Sequence, residues 1–315
     1  MPEIQMQDFV YSLAASPAFS EDGLCFCGRA SGLYRSSDGG RSWHFAYSGL
    51  NLQIPLPTMS VVVSPNFSAD KLVVAGVSGG LLRSVDGGEN WEAILLPEPP
   101  PTITNLVVSP YFADDSILLA GTIEDGMFRS TDQGRHWSPW NFGLLDFGVL
   151  CTAISPNFAG DNTLFVGTDS GIFRSKNGGL AWREVDFSLD FAPVLSLACS
   201  PNFGQDGTLF AGTEKFGLFR STDRGQSWQH LAQAALAGGV NQIIVGAPLA
   251  GDLELLVLAE AGLLRSPDGG QSWQEWSRDL PAGEITTLLV RPGLGRDAPL
   301  LVGMSDGRVC QVSPH

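Results

Sequence analysis

The stretch RSSDGGRSW, from Arg35 to Trp43, sets a carboxylate inside a glycine-rich turn. A carboxylate placed that way can act as a general acid or base, or help to hold a hard cation. Hydrolysis of a glycosidic bond would instead need two carboxylates flanking the bond, and Asp125, Asp146, Asp169, Asp190, Glu214 and Glu260 lie in loops where such a pair could sit. Cys25 and Cys27, two residues apart in an apolar run, share a face, but a metal centre needs further ligands and the four histidines show no matching spacing. No metal site and no cofactor is therefore expected. The five cysteines, completed by Cys151, Cys199 and Cys310, are an odd number in apolar surroundings and read as buried, reduced thiols.

The opening stretch does not stand alone. It returns as RSVDGGENW ending at Trp91, RSTDQGRHW at Trp137, RSKNGGLAW at Trp182, RSTDRGQSW at Trp228 and RSPDGGQSW at Trp273, so the tryptophans are 48, 46, 45, 46 and 45 residues apart. A period of that length marks a stacked or radial array. A feature present in every period cannot mark one active site, so the elements that carry it come first.

Each period opens with an apolar run ending in proline, as in VVVSP to Pro65 or LACSP to Pro201, and there are seven such runs. A polar turn leads to a second strand, of the kind LVVAGV or LFAGT. A glycine turn then leads to a third, such as GLLRSV or GLFRST, and the Asp-containing turn to a fourth that begins at the tryptophan in six periods. Four short antiparallel strands in about 45 residues, repeated, predict an all-β fold, a seven-bladed β-propeller with Asp-containing turns in six blades. The 38 glycines and 20 prolines are the punctuation of these turns. The whole chain, 1–315, reads as a single domain, with residues 2–7 expected to supply the missing fourth strand of blade seven; otherwise that blade keeps an open edge.

The pattern Ser-x-Asp-x-Gly-x-x-Trp resembles the Asp-box, or BNR repeat, of sialidase-type propellers. Its acidic position holds Asp38, Asp86, Asp132, Asp223 and Asp268, with Asn177 in the fourth box, and its last position holds Trp43, Trp91, Trp137, Trp182, Trp228 and Trp273. The resemblance implies a structural role for the boxes, on the face away from any substrate cleft. The physics agrees: Ser and Asp bond backbone groups in a tight turn, Gly takes conformations that other residues avoid, and Trp anchors the fourth strand. Arg35, Arg83, Arg129, Arg174, Arg220 and Arg265, one residue before each box, read as cations paired with nearby carboxylates or carbonyls. A second ring, Asp22, Asp70, Asp115, Asp161, Asp206 and Asp297, falls five residues after the proline of each blade that has it, and reads as capped turns in preference to calcium sites.

A sialidase of this resemblance would need an arginine triad, a tyrosine nucleophile paired with a glutamate, and an acidic aspartate. Arg41, Arg135, Arg183 and Arg224 sit in or beside boxes, only Arg29 and Arg278 could face a cleft, and the Phe/Tyr-Arg-Ile-Pro motif is absent. Xyloglucanases of the Asp-box type resemble two propellers face to face, and one is read here. No catalytic residue is therefore assigned, a glycoside hydrolase or glycan-binding protein remaining the alternative. In build the chain resembles the single-domain Asp-box propellers that serve as photosystem II assembly factors, and uncharacterised bacterial repeat proteins.

A formal charge of −15 without a Lys/Arg cluster argues against a nucleic-acid partner and against anionic membranes. No apolar run reaches membrane-spanning length and the first residues do not read as a leader, so the expectation is a cytoplasmic chain unless a leader preceded residue 1. The loops that follow the fourth strands are unusually apolar, and Trp140, Phe142, Phe147, Phe187, Phe191 and Phe216 cluster in or near them with Asp146 and Asp190. These side chains either fold back over the propeller or form an apolar, acid-rimmed surface for another protein. The reading adopted is a non-catalytic protein-binding or assembly scaffold that uses the loop face opposite the boxes.

Overall fold

A computed structural model describes residues 7–97, 99–187, 189, 191–231, 236–249, 252–276, 280–291 and 299–313. The fold is all-β, with the sheets of a seven-bladed β-propeller; among the described residues six sheets are four-stranded and the seventh is three-stranded. In every blade the strands pair antiparallel in sequence order, as in blade four with Val149–Ile154, Leu164–Thr168, Ile172–Ser175 and Arg183–Glu184. The chain divides into two compact units, one of Met1–Val108 with Asp279–His315, the other of Ser109–Arg278.

Burial falls from the second strand outward. Val73–Val77, Leu118–Thr122, Leu164–Thr168, Leu209–Thr213 and Leu300–Met304 are buried along their whole length, which is why they read as unbroken apolar runs. The fourth strands are only two or three residues long and start just after the tryptophan, one residue later than the sequence suggests. Their outer edge is short, which limits pairing with other chains.

Neighbouring blades meet through a glycine in the second strand. A Cβ on Gly28 would lie 2.5 Å from the Thr58 carbonyl oxygen, and one on Gly212 would lie 2.6 Å from that of Val240, so the next blade's first strand takes the space. Hydroxyls tie first strand to first strand: Ser12 Oγ accepts from Val61 N at 3.1 Å, and Ser196 Oγ donates to Val240 O at 2.8 Å. Blade seven meets blade one by the same chemistry, Gly303 against the Val10 side chain and Thr286 Oγ1 donating to Val10 O at 2.6 Å. Residues 2–6 of the expected closing strand lie outside the described residues, and Gln7 carries no strand pairing.

The turn between first and second strands is a single helical turn, a feature not anticipated from sequence. In Phe19–Asp22 and its counterparts in blades two to five, the phenylalanine is buried and a residue of positive φ closes the turn. The second ring of aspartates sits here: Asp22 Oδ2 accepts from Ser16 Oγ at 2.7 Å and Oδ1 accepts from Leu24 N at 2.9 Å. Asp70, Asp115, Asp161 and Asp206 repeat both bonds, so each carboxylate is spent on its own turn; Asp297 lies outside the described residues.

Candidate functional site

In blades one to five the two ends are built differently. At one end lie the helical turn and the Asp-box, joined by a backbone bond such as Gly39 N to Gly23 O or Gly178 N to Asn162 O, both 2.9 Å. Within a box, Ser36 Oγ donates to Asp38 Oδ1 at 2.8 Å and accepts from Gly40 N at 2.9 Å, while Oδ1 also accepts from Arg41 N and Ser42 N. The second carboxylate oxygen takes a side-chain donor four residues on: Ser42, Asn90, His136, Ser227 or Ser272. Burial opposes the charge on Asp86, Asp132, Asp223 and Asp268, but these bonds outweigh it and hold the carboxyls down at about 2. For Asp38 the Ser42 hydroxyl leads the same lowering.

The fourth box keeps this shape without the charge. Asn177 Oδ1 accepts from Ser175 Oγ and Ala181 N, both at 2.9 Å. An asparagine offers NH2 where aspartate offers a second oxygen, and the donor that would have faced that oxygen is replaced by Ala181. The fifth-position glycine is required twice over: Gly88 has φ 86°, and a Cβ there would lie 2.5 Å from Phe26 of the preceding blade. The tryptophans wedge between blades, Trp91 edge-on to Tyr47 and Trp228 edge-on to Phe187; Trp182 is the most buried and donates to Trp140 O at 2.7 Å. Three of the box arginines reach the next blade's box: Arg35 donates to Gly87 O, Arg174 to Arg224 O and Arg220 to Gly269 O. Arg83 and Arg265 pair instead with Glu92 and Glu254, and Arg129 stacks on Trp140.

At the opposite end the turns between second and third strands meet the loops after the fourth strands. In the unit Ser109–Arg278 these are stitched together. Gly126 N donates to Phe147 O, Asn141 Nδ2 to Asp125 O, Glu214 N to Pro193 O, and Glu260 N to Gly239 O. In blades three to five a threonine ending the second strand closes the short turn, as Thr122 Oγ1 to Gly126 O at 2.9 Å and Thr213 Oγ1 to Gly217 O at 3.0 Å. Its signal was the recurring Gly-Thr of LLAGT, LFVGT and LFAGT.

Four of the six candidate rings stand on this frame in solvent: Phe142 is 79% exposed, Phe191 84%, Phe147 44% and Phe216 45%. The other two are corrections. Phe187 is 4% exposed and packs against Phe219 and Trp228 in the core between blades. It packs on the next blade's box tryptophan as Tyr47 does in blade one, the two rings lying five and four residues past Trp182 and Trp43. Trp140 is half-buried, its ring under the Arg129 guanidinium at 4.0 Å. Phe191 is unusual in another way, since its φ of 51° is a left-handed conformation that a bulky side chain adopts only under strain.

Among the carboxylates, Asp146 joins two loops: Oδ1 accepts from Gly148 N at 3.0 Å and Oδ2 from Ser170 N at 2.9 Å. Burial works against its charge, yet the bonds from Ser170, Gly148 and Thr168 lower its pKa. Asp169 sits against the same Gly148 and shifts the other way, raised by burial and then by the charges of Asp146 and Glu214. Asp190 lies outside the described residues. Arg29 stacks on Tyr34 at 4.3 Å and lies 3.7 Å from Asp8, a placement that packs it down. No group of three or more metal-ligating side chains occurs among the described residues, nor any helix long and apolar enough to cross a membrane. The cysteines form no disulfide; burial pushes Cys25 and Cys151 up to about 12 and Cys27 to about 11.

No family model matches the chain, and no curated protein matches it in sequence. Solved structures do match it in fold. A structure of YCF48 bound to D1 peptide has TM-score 0.71 and 16% identity over 99% of this chain and 95% of its own. YCF48 from Cyanidioschyzon merolae has TM-score 0.68 and 13% identity over 98% and 97%. The GH74 xyloglucanase from Xanthomonas campestris has TM-score 0.72 and 19% identity over 96% of this chain but 51% of its own. The chain thus has the Asp-box β-propeller fold. In fold it is similar to nearly the whole of the two YCF48 chains and to about half of the xyloglucanase.

Proposed function

We propose that the chain, as a single seven-bladed propeller, is a non-catalytic scaffold that binds another protein on the loop face opposite the boxes. The observation that carries this is the set of exposed rings Phe142, Phe147, Phe191 and Phe216 on loops held in place by backbone hydrogen bonds. Exposed aromatics on a preorganised frame bury much area at little entropic cost when a partner arrives. Asp169, Glu214 and Glu260 beside them favour a segment with apolar residues flanked by Lys or Arg. The fold shared with a propeller bound to a peptide supports the reading.

Exchanging Phe147→Ser together with Phe191→Ser should abolish a partner recovered by affinity capture and mass spectrometry and leave the melting temperature unchanged, because both rings are exposed. Capture unchanged by the double exchange would overturn the proposal. A glycoside hydrolase is the second reading, favoured by one observation: Asp146 and Asp169 flank Gly148 and their pKa values are pushed apart, the pattern of an acid and base pair. Against it, both oxygens of Asp146 are occupied by backbone donors. Turnover of a chromogenic glycan that is lost in Asp146→Asn and Asp169→Asn would establish it in place of the scaffold.

A further inference from the structure

The fourth box departs from its repeat at several positions, and the departures share a direction. Lys176 stands where the other boxes carry uncharged residues, Asn177 where they carry a carboxylate, and Arg183 where none has Lys or Arg. Each change makes the surroundings more positive, in a chain whose formal charge is −15. Ala181 removes the side chain that elsewhere reaches the aspartate and leaves space. The result is a cavity of about 330 Å³ lined by Arg174, Lys176, Asn177, Ala181 and Arg183. That volume lies in the range of small-molecule sites.

The polar groups lining it are donors. Asn177 Oδ1 is already taken by Ser175 and Ala181, which leaves its NH2 group. Arg174 commits Nη1 to Arg224 O at 2.7 Å, which fixes the guanidinium and leaves its other N–H groups. Lys176 and Arg183 are exposed and form no ion pair among the described residues. Burial lowers the proton affinity of Arg174, Asp223 partly offsets this, and the like charge of Arg183 adds to it, so an anion between the two arginines would relieve their repulsion.

We propose that this cavity, at the box end of blade four, binds a small molecule bearing a phosphate or sulfate group, its oxyanion held by Arg174, Lys176, Arg183 and the Asn177 amide. Planar guanidinium forks and an ammonium together suit a tetrahedral oxyanion that can take several bonds at once. The site is independent of the loop face, since it lies at the other end of the blade.

The test is a titration of the intact chain with inorganic phosphate, sulfate and acetate at low, constant ionic strength, followed by calorimetry or by NMR shifts of blade-four amides. Expected is saturable binding of phosphate or sulfate, tighter than acetate. Binding should weaken at least about tenfold in Lys176→Gln/Arg183→Gln, where charge-assisted bonds are lost, and be unchanged in Arg135→Gln, a cation of another box. A second variant, Asn177→Asp/Ala181→Ser, rebuilds the standard box, should melt as the parent does, and should also lose binding. Absence of saturable binding, survival of binding in both variants, or an equal loss in Arg135→Gln would overturn the proposal.

Discussion

Asn177 shows which part of the box aspartate matters. One oxygen gathers a serine hydroxyl and two backbone amides, and Asn177 Oδ1 keeps the hydroxyl and one of the two amides. The second oxygen exists to meet the side chain four residues on, and where the oxygen becomes an amide that side chain becomes Ala181. Exchanging Asp223→Asn alone should replace the charge-assisted bond from Ser227 Oγ by a weaker one, in which the hydroxyl accepts from the new amide, and cost about 1 kcal/mol or less, given the exposure of the pair. Ser227→Ala should then cost less on top of Asp223→Asn than it does in the parent, a coupling that a double-mutant cycle of urea midpoints would read. Simple additivity would mean that the two positions do not communicate. This covariation was legible in the six boxes side by side, but its meaning needed the geometry that puts residues four apart on one carboxylate.

Among the elements, the second strand carries the most constraint. It is buried on both faces, and its glycine is the place where the next blade's first strand passes. In Gly212→Ala the new methyl would meet Val240 Cγ1 at 2.5 Å and its carbonyl oxygen at 2.6 Å, so overpacking should cost about 1–3 kcal/mol. Gly49→Ala, with nothing within 4 Å, is the matched control and should be close to neutral in the same thermal melt. The strand order was readable because apolar runs, prolines and box tryptophans repeat in phase. The helical turns were not, because Phe19–Asp22 is too short to show a helical period. Nor did composition separate Phe187 from Phe191: both lie in one apolar loop, and only the backbone path turns the first into the interblade core and the second into solvent.

For the whole molecule the boxes set a pH dependence. Five box aspartates have folded pKa values below the unfolded value of about 3.9. A lowered carboxylate contributes stability that is fully present above its unfolded pKa and is lost as pH falls through its folded one. The urea midpoint should thus change little from pH 7 to about 4 and fall steeply between about 4 and 2. Asp169, raised, acts in the opposite sense and should blunt the fall slightly at its start. A midpoint that declines evenly from neutral pH would mean that the boxes are not the controlling groups. The architecture was legible in the sequence because it is written six or seven times. The binding face was legible only as a region, because function there rests on loops that do not repeat.

The bond from Gly178 N to Asn162 O, which joins box and helical turn in blade four, has a chemical consequence. Asparagine followed by glycine is the pair most prone to deamidation, through attack of the glycine nitrogen on the side-chain amide. In the folded box that nitrogen is directed at Asn162 and the amide oxygen is held by Ser175 and Ala181, so ring closure is blocked. Each opening of the turn exposes the pair to irreversible ageing, and the product would place a carboxylate among Arg174, Lys176 and Arg183. Blade four therefore carries a slow clock that records, as a gain of one negative charge, how often this joint has come undone.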